Sequence, residues 1–585
     1  MVYLIFGIIL LIAPFLLAGF FEDKNAIFAY ILFYFFAFLA ILGLITQFFG
    51  VFYYWAIVLS VLASEIIALF IFFKLKKKFS FKIDWVAVAV FCIALATLYQ
   101  VHYNYTGKMS LATDRTVAYH DVKNMNYPYP YFSDEWYAVS LTEGAINNHS
   151  LPTTATISQK PFLNMELFFH SFTADIMLIL HVDPLASYTI ISLFFNCLLI
   201  LLAYLFLRTS GIEKMTSAVA SLFLLYITSA ANLPGLWHFI PFSLGVIFLL
   251  LSFCFIASKK LLPAFFASVL GTIFYPPMFP FFLLSLLLFF IFENKEHIIK
   301  NKKIYIYAVF GAMVAGVAIF FILLTTPLSE FIRHSFSRII FTSLSAPYIQ
   351  QYFFYFIVPL PVILLLFFGL KDVFKKQKWL LASFILGIVY WISYSVTTQR
   401  FFIDYERIAI LASILACLFA GFGIQKIEQY LPKNSIKWVK IAILAGFLVF
   451  IPFYTKSNTW QDLVLIHPKN GQKMYAKAPA NNYLTQEDLK FFADIKGKRF
   501  LSLPWKGLVI GTATHNYPVV TKEGTMSLGK ESSVGEFFNA DCAKKSELAK
   551  KMNLDYIYLY EFNCPGFKKI VQSQEGLTLY EFSKN

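Results

Sequence analysis

Apolar runs long enough to cross a lipid bilayer recur along the first 455 residues of this chain. The hydrocarbon core of a bilayer is about 30 Å thick, so a helix needs roughly 20 apolar residues to cross it. Because hydrocarbon offers no partner for a free backbone N–H or C=O, each run is predicted to be a helix. Hydrophobic residues make up 59% of the chain and charged residues 14%, which excludes an ordinary soluble enzyme and a disordered chain. The sequence therefore predicts a polytopic α-helical membrane protein.

The apolar runs predict about 14 membrane spans. The first has no basic residues before it and no small-residue cleavage site, so it is interpreted as an anchor and not as a removed signal peptide. The predicted spans are 2–20, 26–46, 51–73, 84–103, 184–207, 215–231, 239–257, 261–275, 277–292, 304–325, 352–370, 379–397, 405–424 and 438–454.

Lysines gather in the loops that follow every second span, for example at 74–82, 371–378 and 426–440. Loops rich in Lys and Arg stay on the cytoplasmic side, so both termini and the long loop 104–183 are predicted to lie outside the cytoplasm, at the plasma membrane. Segment 161–181 is predicted to lie at the outer interface, because counting it as a span would invert every later loop. The net charge of +15 is thus a topology signal, and no nucleic-acid partner is predicted.

Residues 455–585 are more polar than the rest and are predicted to form a small soluble α/β domain outside the cytoplasm. Cys542 and Cys564 lie in this part and could pair in an oxidising compartment. The predicted domains are extra transmembrane helices at 1–83, a transmembrane module at 84–454 and the soluble domain at 455–585. Its predicted strands are 498–503, 518–521, 554–561 and 577–582, and its predicted helices are 487–495 and 546–552.

Two adjacent carboxylates, Asp134 and Glu135, begin an amphipathic helix in the long outer loop. Acidic residues suit the positive end of a helix, so a capped surface helix is one interpretation. The other is a catalytic carboxylate at the boundary between lipid and water, where an acceptor hydroxyl from water could meet a lipid-linked donor. A carboxylate within hydrogen-bond reach of a hydroxyl can act as a general base.

Four arginines near the predicted outer surface are candidates for binding a phosphate. Arg400 and Arg407 lie around the start of the thirteenth span, and Arg333 and Arg338 lie in an outer loop. Arginine suits phosphate because its planar fork presents paired donors that are always charged. Arg407 could instead pair with Asp404 or extend its side chain to the membrane surface.

Aromatic residues at 127–132 could stack on a sugar, and an interfacial aromatic belt is the alternative interpretation. His170 and His238 are interpreted as residues of such a belt. No zinc-ligand spacing, phosphate-binding glycine loop, nucleophile elbow or dinucleotide fingerprint is found in the sequence. The carboxylates of the outer loop are therefore the main chemical signal.

The run 134–152, followed by Lys160, Pro161 and an aromatic helix, resembles the first outer loop of the GT-C membrane glycosyltransferases. It looks most like the protein mannosyltransferase and lipid A aminoarabinose transferase branch. Asp134 matches the first acid of that loop and Glu135 the second, and Lys160 matches the lysine of its Lys-Pro step. Gln159 stands where the aminoarabinose branch has a glutamate, which makes metal coordination there less favourable.

This resemblance implies transfer of a sugar from a polyprenyl-phosphate carrier to a glycan, lipid or protein acceptor, as in the synthesis of cell-envelope glycans. It implies Asp134 as the general base, and Glu135 as a residue that orients the acceptor or helps to bind a cation. Lys160, Arg400 or Arg407 would stabilise the phosphate. No cofactor is assigned, although a divalent cation is compatible with these residues.

The layout also resembles oligosaccharyltransferase catalytic subunits, although their W-W-D-Y-G signature is absent and Lys506 stands where an acid would be expected. The three spans before residue 84 exceed the usual start of the family. Two further hypotheses stay open: a transporter or flippase for lipid-linked sugars, and an inactive relative that serves as a scaffold. Charges within the spans are few and no internal repeat is found, which favours an enzyme over a transporter.

Overall fold

The computed structural model describes part of the chain, and every structural statement below concerns that part alone. The predicted spans 2–20 and 304–325, and most of 438–454, lie outside it. The described residues are 27–74, 84–104, 108–113, 116–121, 129–130, 133–152, 166–227, 239–293, 340–343, 348–349, 360–397, 399–401, 403, 405–430, 432, 438–442, 446, 463–466, 473–476, 484–521, 533–573 and 576–584.

Helices dominate the described residues up to position 430. They are α1 (Ile27–Phe48), α2 (Tyr54–Lys74), α3 (Trp85–Asn104), α4 (Ser133–Asn148), α5 (Leu167–Leu180), α6 (Pro184–Thr209), α7 (Lys214–Leu222), α8 (Pro241–Ala257), α9 (Leu261–Phe274), α10 (Phe279–Glu293), α11 (Leu360–Lys376), α12 (Lys378–Thr397) and α13 (Tyr405–Glu428). Short strands β1 (Lys108–Thr113) and β2 (Thr116–Asp121) pair in the segment between α3 and α4, and β3 (Ile340–Ser343) pairs with β5 (Gln399–Phe401), while β4 is Tyr348–Ile349.

Three helices of the described residues are long and apolar enough to cross a membrane: Ala29–Phe48, Pro184–Thr209 and Arg407–Glu428. Shorter apolar helices occupy other predicted spans. The predicted span 215–231, for example, contains only α7 and a 3₁₀ turn at Phe223–Tyr226 before the described residues end. The fold is therefore mostly helical as predicted, and the figure of about 14 spans stays a prediction.

Ion pairs gather at one end of the helical bundle, which we call the basic end. Asp84, just before α3, pairs with Lys214 at the start of α7, 3.6 Å apart. Lys440 lies 2.8 Å from Glu213 and 2.8 Å from Glu428, the last residue of α13. The beginnings of α3 and α7 and the end of α13 therefore meet at the basic end.

The opposite end of the bundle, which we call the carboxylate end, contains the start of α4. The start of α13 and the end of α9 also lie there, because Arg407 of α13 contacts both Asp134 of α4 and Tyr275 just after α9. Since α13 has 24 residues, the two ends of the bundle lie about 36 Å apart. This separation matches the thickness of a bilayer core of about 30 Å.

Helix α5 covers most of the segment predicted to lie at the interface, and it packs against α1. Gln47 Nε2 donates to the carbonyl of Ser171 in α5, at 2.9 Å, and the ring of His181 just after α5 lies 5.3 Å from that of Tyr54. Gln47 and Tyr54 flank the turn between α1 and α2. Helix α5 therefore contacts this turn, and its 14 residues are too few to cross a membrane.

Two glycines bring the backbones of α11 and α13 into contact. A Cβ added at Gly369 of α11 would clash with the carbonyl oxygen of Phe419, and one added at Gly423 of α13 would clash with that of Leu365. Small residues at helix crossings in membranes allow this kind of close approach. The crossing fixes the position of α13 relative to α11.

The carboxyl-terminal residues form a mixed sheet with helices around it. The elements are β6 (Leu463–Ile466), β7 (Lys473–Ala476), α14 (Gln486–Phe491), β8 (Arg499–Ser502), α15 (Pro504–Thr514), β9 (Tyr517–Pro518), α16 (Ser533–Asn539), α17 (Cys542–Lys551), β10 (Tyr556–Tyr560), β11 (Phe567–Gln572) and β12 (Leu577–Phe582). The sheet order is β11-β12-β10-β8-β9, with β8, β9 and β10 parallel to one another, while β12 is antiparallel to both β10 and β11. A disulfide joins Cys542 to Cys564.

The carboxyl-terminal part thus contains a small sheet with helices as predicted, and the bounds 455–585 of a separate domain stay a prediction. Five described elements were missed: β6, β7, α15, α16 and β11. Helix α15 was missed although Pro504 at its first position suits a helix start. Strand β11 was missed because the adjacent Lys568 and Lys569 are both exposed, so the alternation expected of a half-buried strand is absent. The predicted strand 518–521 overlaps β9 (Tyr517–Pro518) only at Pro518.

Helix α15 packs directly against α4, the helix that carries the two carboxylates. Its Leu508 and Val509 belong to the same buried cluster as Trp136 and Val139 of α4. The carboxyl-terminal sheet is therefore joined to the bundle through a shared apolar core.

Candidate active site

Asp134 and Arg407 come together at the carboxylate end of the bundle. Asp134 lies in the first turn of α4, where the positive end of the helix favours an acid, and Arg407 lies in the first turn of α13. Arg407 Nη2 is 3.3 Å from Asp134 Oδ2, and the two side chains are 22% and 31% exposed. The pair is therefore partly sheltered but open to a ligand from outside.

Tyr275 holds the other arm of the Arg407 guanidinium. Its hydroxyl accepts from Arg407 Nη1 at 2.9 Å, and the guanidinium carbon lies 5.5 Å from the centre of its ring. Tyr275 is fully buried, with its ring edge-on to Phe242 at 5.7 Å. A Cβ at Gly245 would lie 2.9 Å from the Cβ of Tyr275, so the tyrosine backbone is pressed against α8. Nothing in the sequence singles out Tyr275 beyond its place after an apolar helix.

Glu135 faces the interior and ties three elements together. The residue is 4% exposed, and its Oε1 accepts from the Ser192 hydroxyl of α6 and from the backbone N–H of Phe239, each at 2.9 Å. The carbonyl of Phe239 in turn accepts from the hydroxyl of Tyr188 at 2.6 Å. These contacts give Glu135 a structural role, and the predicted role toward an acceptor or a cation stays a prediction.

His170 of α5 is buried close to this site and not exposed in an interfacial belt. It is 2% exposed, with its ring 6.1 Å from that of Tyr137. Burial lowers the pKa of His170 to about 3, although the negative charge of Asp134 acts in the opposite direction. The imidazole is therefore neutral at ordinary pH, beside the charged pair.

Glu143 lies further along α4 and is also buried. Burial raises the pKa of Glu143 to about 8, and the negative charge of Asp183 at the start of α6 acts in the same direction. A carboxyl with such a pKa carries its proton near neutral pH. Asp183 itself accepts from the backbone N–H of Ala186 at 2.7 Å and caps α6.

The other predicted phosphate ligands are not described at the level of their side chains. Lys160, Arg333 and Arg338 lie outside the described residues. The backbone of Arg400 belongs to β5, where it pairs with Thr342 of β3, and its side chain lies outside the description. Of the predicted site residues, the structure thus brings together Asp134 and Arg407, while Glu135 faces the interior.

Most of the predicted aromatic cluster at 127–132 also lies outside the described residues, as does His238. Tyr129 is described, and its ring lies 6.0 Å from the ring of Trp136, which is fully buried. Trp136 Nε1 donates to the carbonyl of Pro130 at 2.7 Å. These residues pack the start of α4 against the chain that enters it.

Potential metal ligands do not cluster in the part of the chain that the structure describes. Within it, no three His, Cys, Asp or Glu side chains come close enough to hold a metal ion. The two adjacent acids diverge, since Asp134 contacts Arg407 while Glu135 contacts Ser192.

The Asp134–Arg407 pair joins two chemical capacities at one place. A carboxylate can accept a proton from a hydroxyl that attacks an electrophile. A guanidinium can bind the oxygens of a phosphate and stabilise the charge that develops on it as a leaving group. The pair therefore suits a reaction in which a hydroxyl displaces a phosphate.

No protein-family model matches this chain, and no curated protein matches it. Solved structures of an oligosaccharyltransferase from the archaeon Archaeoglobus fulgidus are similar to it. The apo form is 12% identical to this chain, with a TM-score of 0.46, and the match covers 85% of this chain and 74% of the archaeal one. A complex with an inhibitory peptide and a dolichol-phosphate is 13% identical, with the same coverage and a TM-score of 0.41. Oligosaccharyltransferases are one of the groups that the sequence layout resembles, and the activity proposed below is argued from the contacts of this chain itself.

Proposed function

We propose that this protein is a membrane glycosyltransferase that moves a sugar from a polyprenyl-phosphate-linked donor to an acceptor hydroxyl on the outer face of the membrane. The observation that carries the proposal is the Asp134–Arg407 pair, with 3.3 Å between Nη2 and Oδ2 and both side chains partly exposed. One group can activate a hydroxyl and the other can bind a phosphate.

The position of the pair supports a reaction at a membrane surface. It lies at the start of α13, and the ion pairs of the basic end lie at the other end of this apolar helix, about 36 Å away. The loops of the basic end carry the lysines that are typical of the cytoplasmic side. On this assignment the pair lies on the outer side, at the plasma membrane, with both termini and residues 455–585.

The disulfide between Cys542 and Cys564 supports the same orientation. Disulfides persist in oxidising compartments and are rare in the cytoplasm. Because α15 of this carboxyl-terminal part packs on α4, the sheet and the Asp134–Arg407 pair belong to the same side of the membrane.

In the proposed mechanism, Asp134 accepts the proton of the acceptor hydroxyl as its oxygen attacks the anomeric carbon of the donor. The bond between this carbon and the phosphate oxygen breaks, and polyprenyl phosphate leaves as an anion. Arg407 stabilises the charge on this anion, with Lys160 and Arg400 as further predicted contributors. The acceptor is a glycan, a lipid or a protein, and no step passes through a metal ion.

The test is the Asp134→Asn variant of the full chain, reconstituted in lipid nanodiscs with a synthetic polyprenyl-phosphate donor that carries a tritiated sugar. Loss of a general base lowers a rate by about 10²- to 10⁴-fold, and we expect a loss of this size in sugar transfer. Near-normal turnover by Asp134→Asn would remove the base assignment.

The matched control is Asp183→Asn, which makes the same chemical change at an exposed position of the same end of the bundle. Asparagine caps a helix about as well as aspartate, so we expect α6 to be unaffected and transfer to stay at the wild-type rate. Movement of the donor across the bilayer without sugar transfer, in the wild-type protein, would favour the flippase hypothesis. Absence of both activities would favour the scaffold hypothesis.

A further inference from the structure

The Arg407 guanidinium contacts two groups of different character. Its Nη1 donates to the buried hydroxyl of Tyr275 at 2.9 Å, within the usual range for a hydrogen bond. Its Nη2 lies 3.3 Å from Asp134 Oδ2, longer than the 2.7–2.9 Å that is typical of a close pair between a guanidinium and a carboxylate. The contact of Nη1 with Tyr275 is therefore the closer one, and the contact of Nη2 with Asp134 is the looser one.

The contact between Nη2 and Asp134 is also the easier of the two to replace. Both side chains of the ion pair are partly exposed, and ion pairs of this kind contribute little because water screens them. A phosphate offers the guanidinium more acceptor oxygens than a single carboxylate oxygen does, and these match its paired donors. Exchange of Asp134 for a phosphate at Nη2 therefore has a small cost.

The same contact limits what Asp134 can do. While its Oδ2 accepts from Arg407, this oxygen is engaged and less available to accept a proton from a hydroxyl. If the donor phosphate takes over Nη2, Oδ2 of Asp134 loses this contact at the moment when the donor is in place.

We propose, on the basis of the proposed function, that Asp134 and the lipid-linked phosphate compete for Arg407, so that donor binding takes the guanidinium away from the carboxylate before it acts as base. Tyr275 acts as the positioning residue in this exchange. It keeps Nη1 fixed while Nη2 changes partner, so the guanidinium stays in place for either anion. Donor binding then precedes activation of the acceptor, and the carboxylate is restrained when no donor is present.

The experiment measures binding of a polyprenyl monophosphate without sugar to the full chain in nanodiscs, with the corresponding polyprenol as the blank. We expect Asp134→Asn to bind the phosphate about fivefold more tightly than the wild type, because the competing ion pair is worth up to about 1 kcal/mol. Misfolding cannot produce such a gain. The control Asp183→Asn removes one negative charge from the same end without touching Arg407, and we expect less than a twofold change.

Two further variants locate the competition at Arg407. Arg407→Gln is expected to bind the phosphate at least tenfold more weakly, and adding Asp134→Asn to it is expected to give no further gain. Tyr275→Phe keeps the ring beside the guanidinium but removes the acceptor for Nη1. It is expected to weaken phosphate binding several-fold in the wild-type background and to have no further effect in Arg407→Gln.

The outcomes separate the inference from the proposed function. If Arg407→Gln weakens binding but Asp134→Asn equals the wild type, Arg407 binds phosphate without exchange; the inference is then overturned and the glycosyltransferase proposal is not. Should the wild-type protein fail to distinguish the phosphate from the polyprenol, the phosphate site itself is refuted, and both proposals fall together.

Discussion

The contacts of Glu135 predict that substitutions there act first on stability and only secondarily on catalysis. In Glu135→Ala, the Ser192 hydroxyl and the Phe239 N–H lose their acceptor inside the protein. An unsatisfied buried donor costs about 1–3 kcal/mol, so the two together should cost about 2–6 kcal/mol. Glu135→Gln keeps an oxygen at the same place but loses its charge. Since hydrogen bonds to a charged group are roughly twice as strong as neutral ones, we expect this variant to lose only about 1–2 kcal/mol.

The assay compares thermal unfolding midpoints of the purified full chain at one fixed scan rate, because unfolding of a membrane protein is often irreversible. We expect the order wild type, Glu135→Gln, Glu135→Ala. Ser192→Ala is the matched variant, since it removes one of the two donors and leaves the contact to Phe239 in place. Sugar transfer by Glu135→Gln should stay within about tenfold of the wild-type rate.

A Glu135→Gln protein with an unchanged midpoint and no transfer would refute this reasoning. It would assign Glu135 a direct part in the reaction, as the resemblance to the GT-C loop implies.

Two further predictions concern packing and pH. Gly423→Ala should destabilise the protein by about 1–3 kcal/mol or more, because the new methyl group meets the backbone of α11 at Leu365. The control in the same unfolding assay is Gly387→Ala, where the added Cβ makes an ordinary contact at 3.5 Å. Equal unfolding midpoints for the two variants would contradict the close crossing of α11 and α13. The pKa of Glu143, raised from 4.5 to about 8, should make stability fall as pH rises between these values, by up to about 1.4 kcal/mol per pH unit, because the unfolded chain releases the proton that the folded one keeps. Glu143→Gln should remove this part of the slope between about pH 5 and pH 8, and an identical slope in both proteins would show that Glu143 is charged when folded.

The sequence predicted the helical membrane fold well, because apolar run length follows directly from the thickness of a bilayer. It also identified Asp134 and Arg407, since both are charged groups at the boundaries of apolar or amphipathic helices. It did not predict that they meet, because 273 positions separate them along the chain and only the folded bundle places the starts of α4 and α13 at the same end.

The different environments of Asp134 and Glu135 could likewise not be predicted from the sequence. Adjacent residues of a helix point about 100° apart, so one can face an open site while the other faces the core. Tyr275 was missed for a related reason, since a tyrosine at a helix end is common in membrane proteins and carries no sign of its partner. His170 was assigned to an interfacial belt because its neighbours are aromatic, whereas α5 turns it inward.

The docking of α15 on α4 has a consequence for truncated forms of this chain. Synthesis runs from the amino terminus, so the apolar side of α4 that Leu508 and Val509 cover stays bare until the ribosome has passed residue 514. A protein cut short before that point would still contain Asp134, Glu135 and Arg407, yet α4 would lack α15 as a packing partner. Damage near the carboxyl terminus can therefore disable chemistry to which that region contributes no reacting atom.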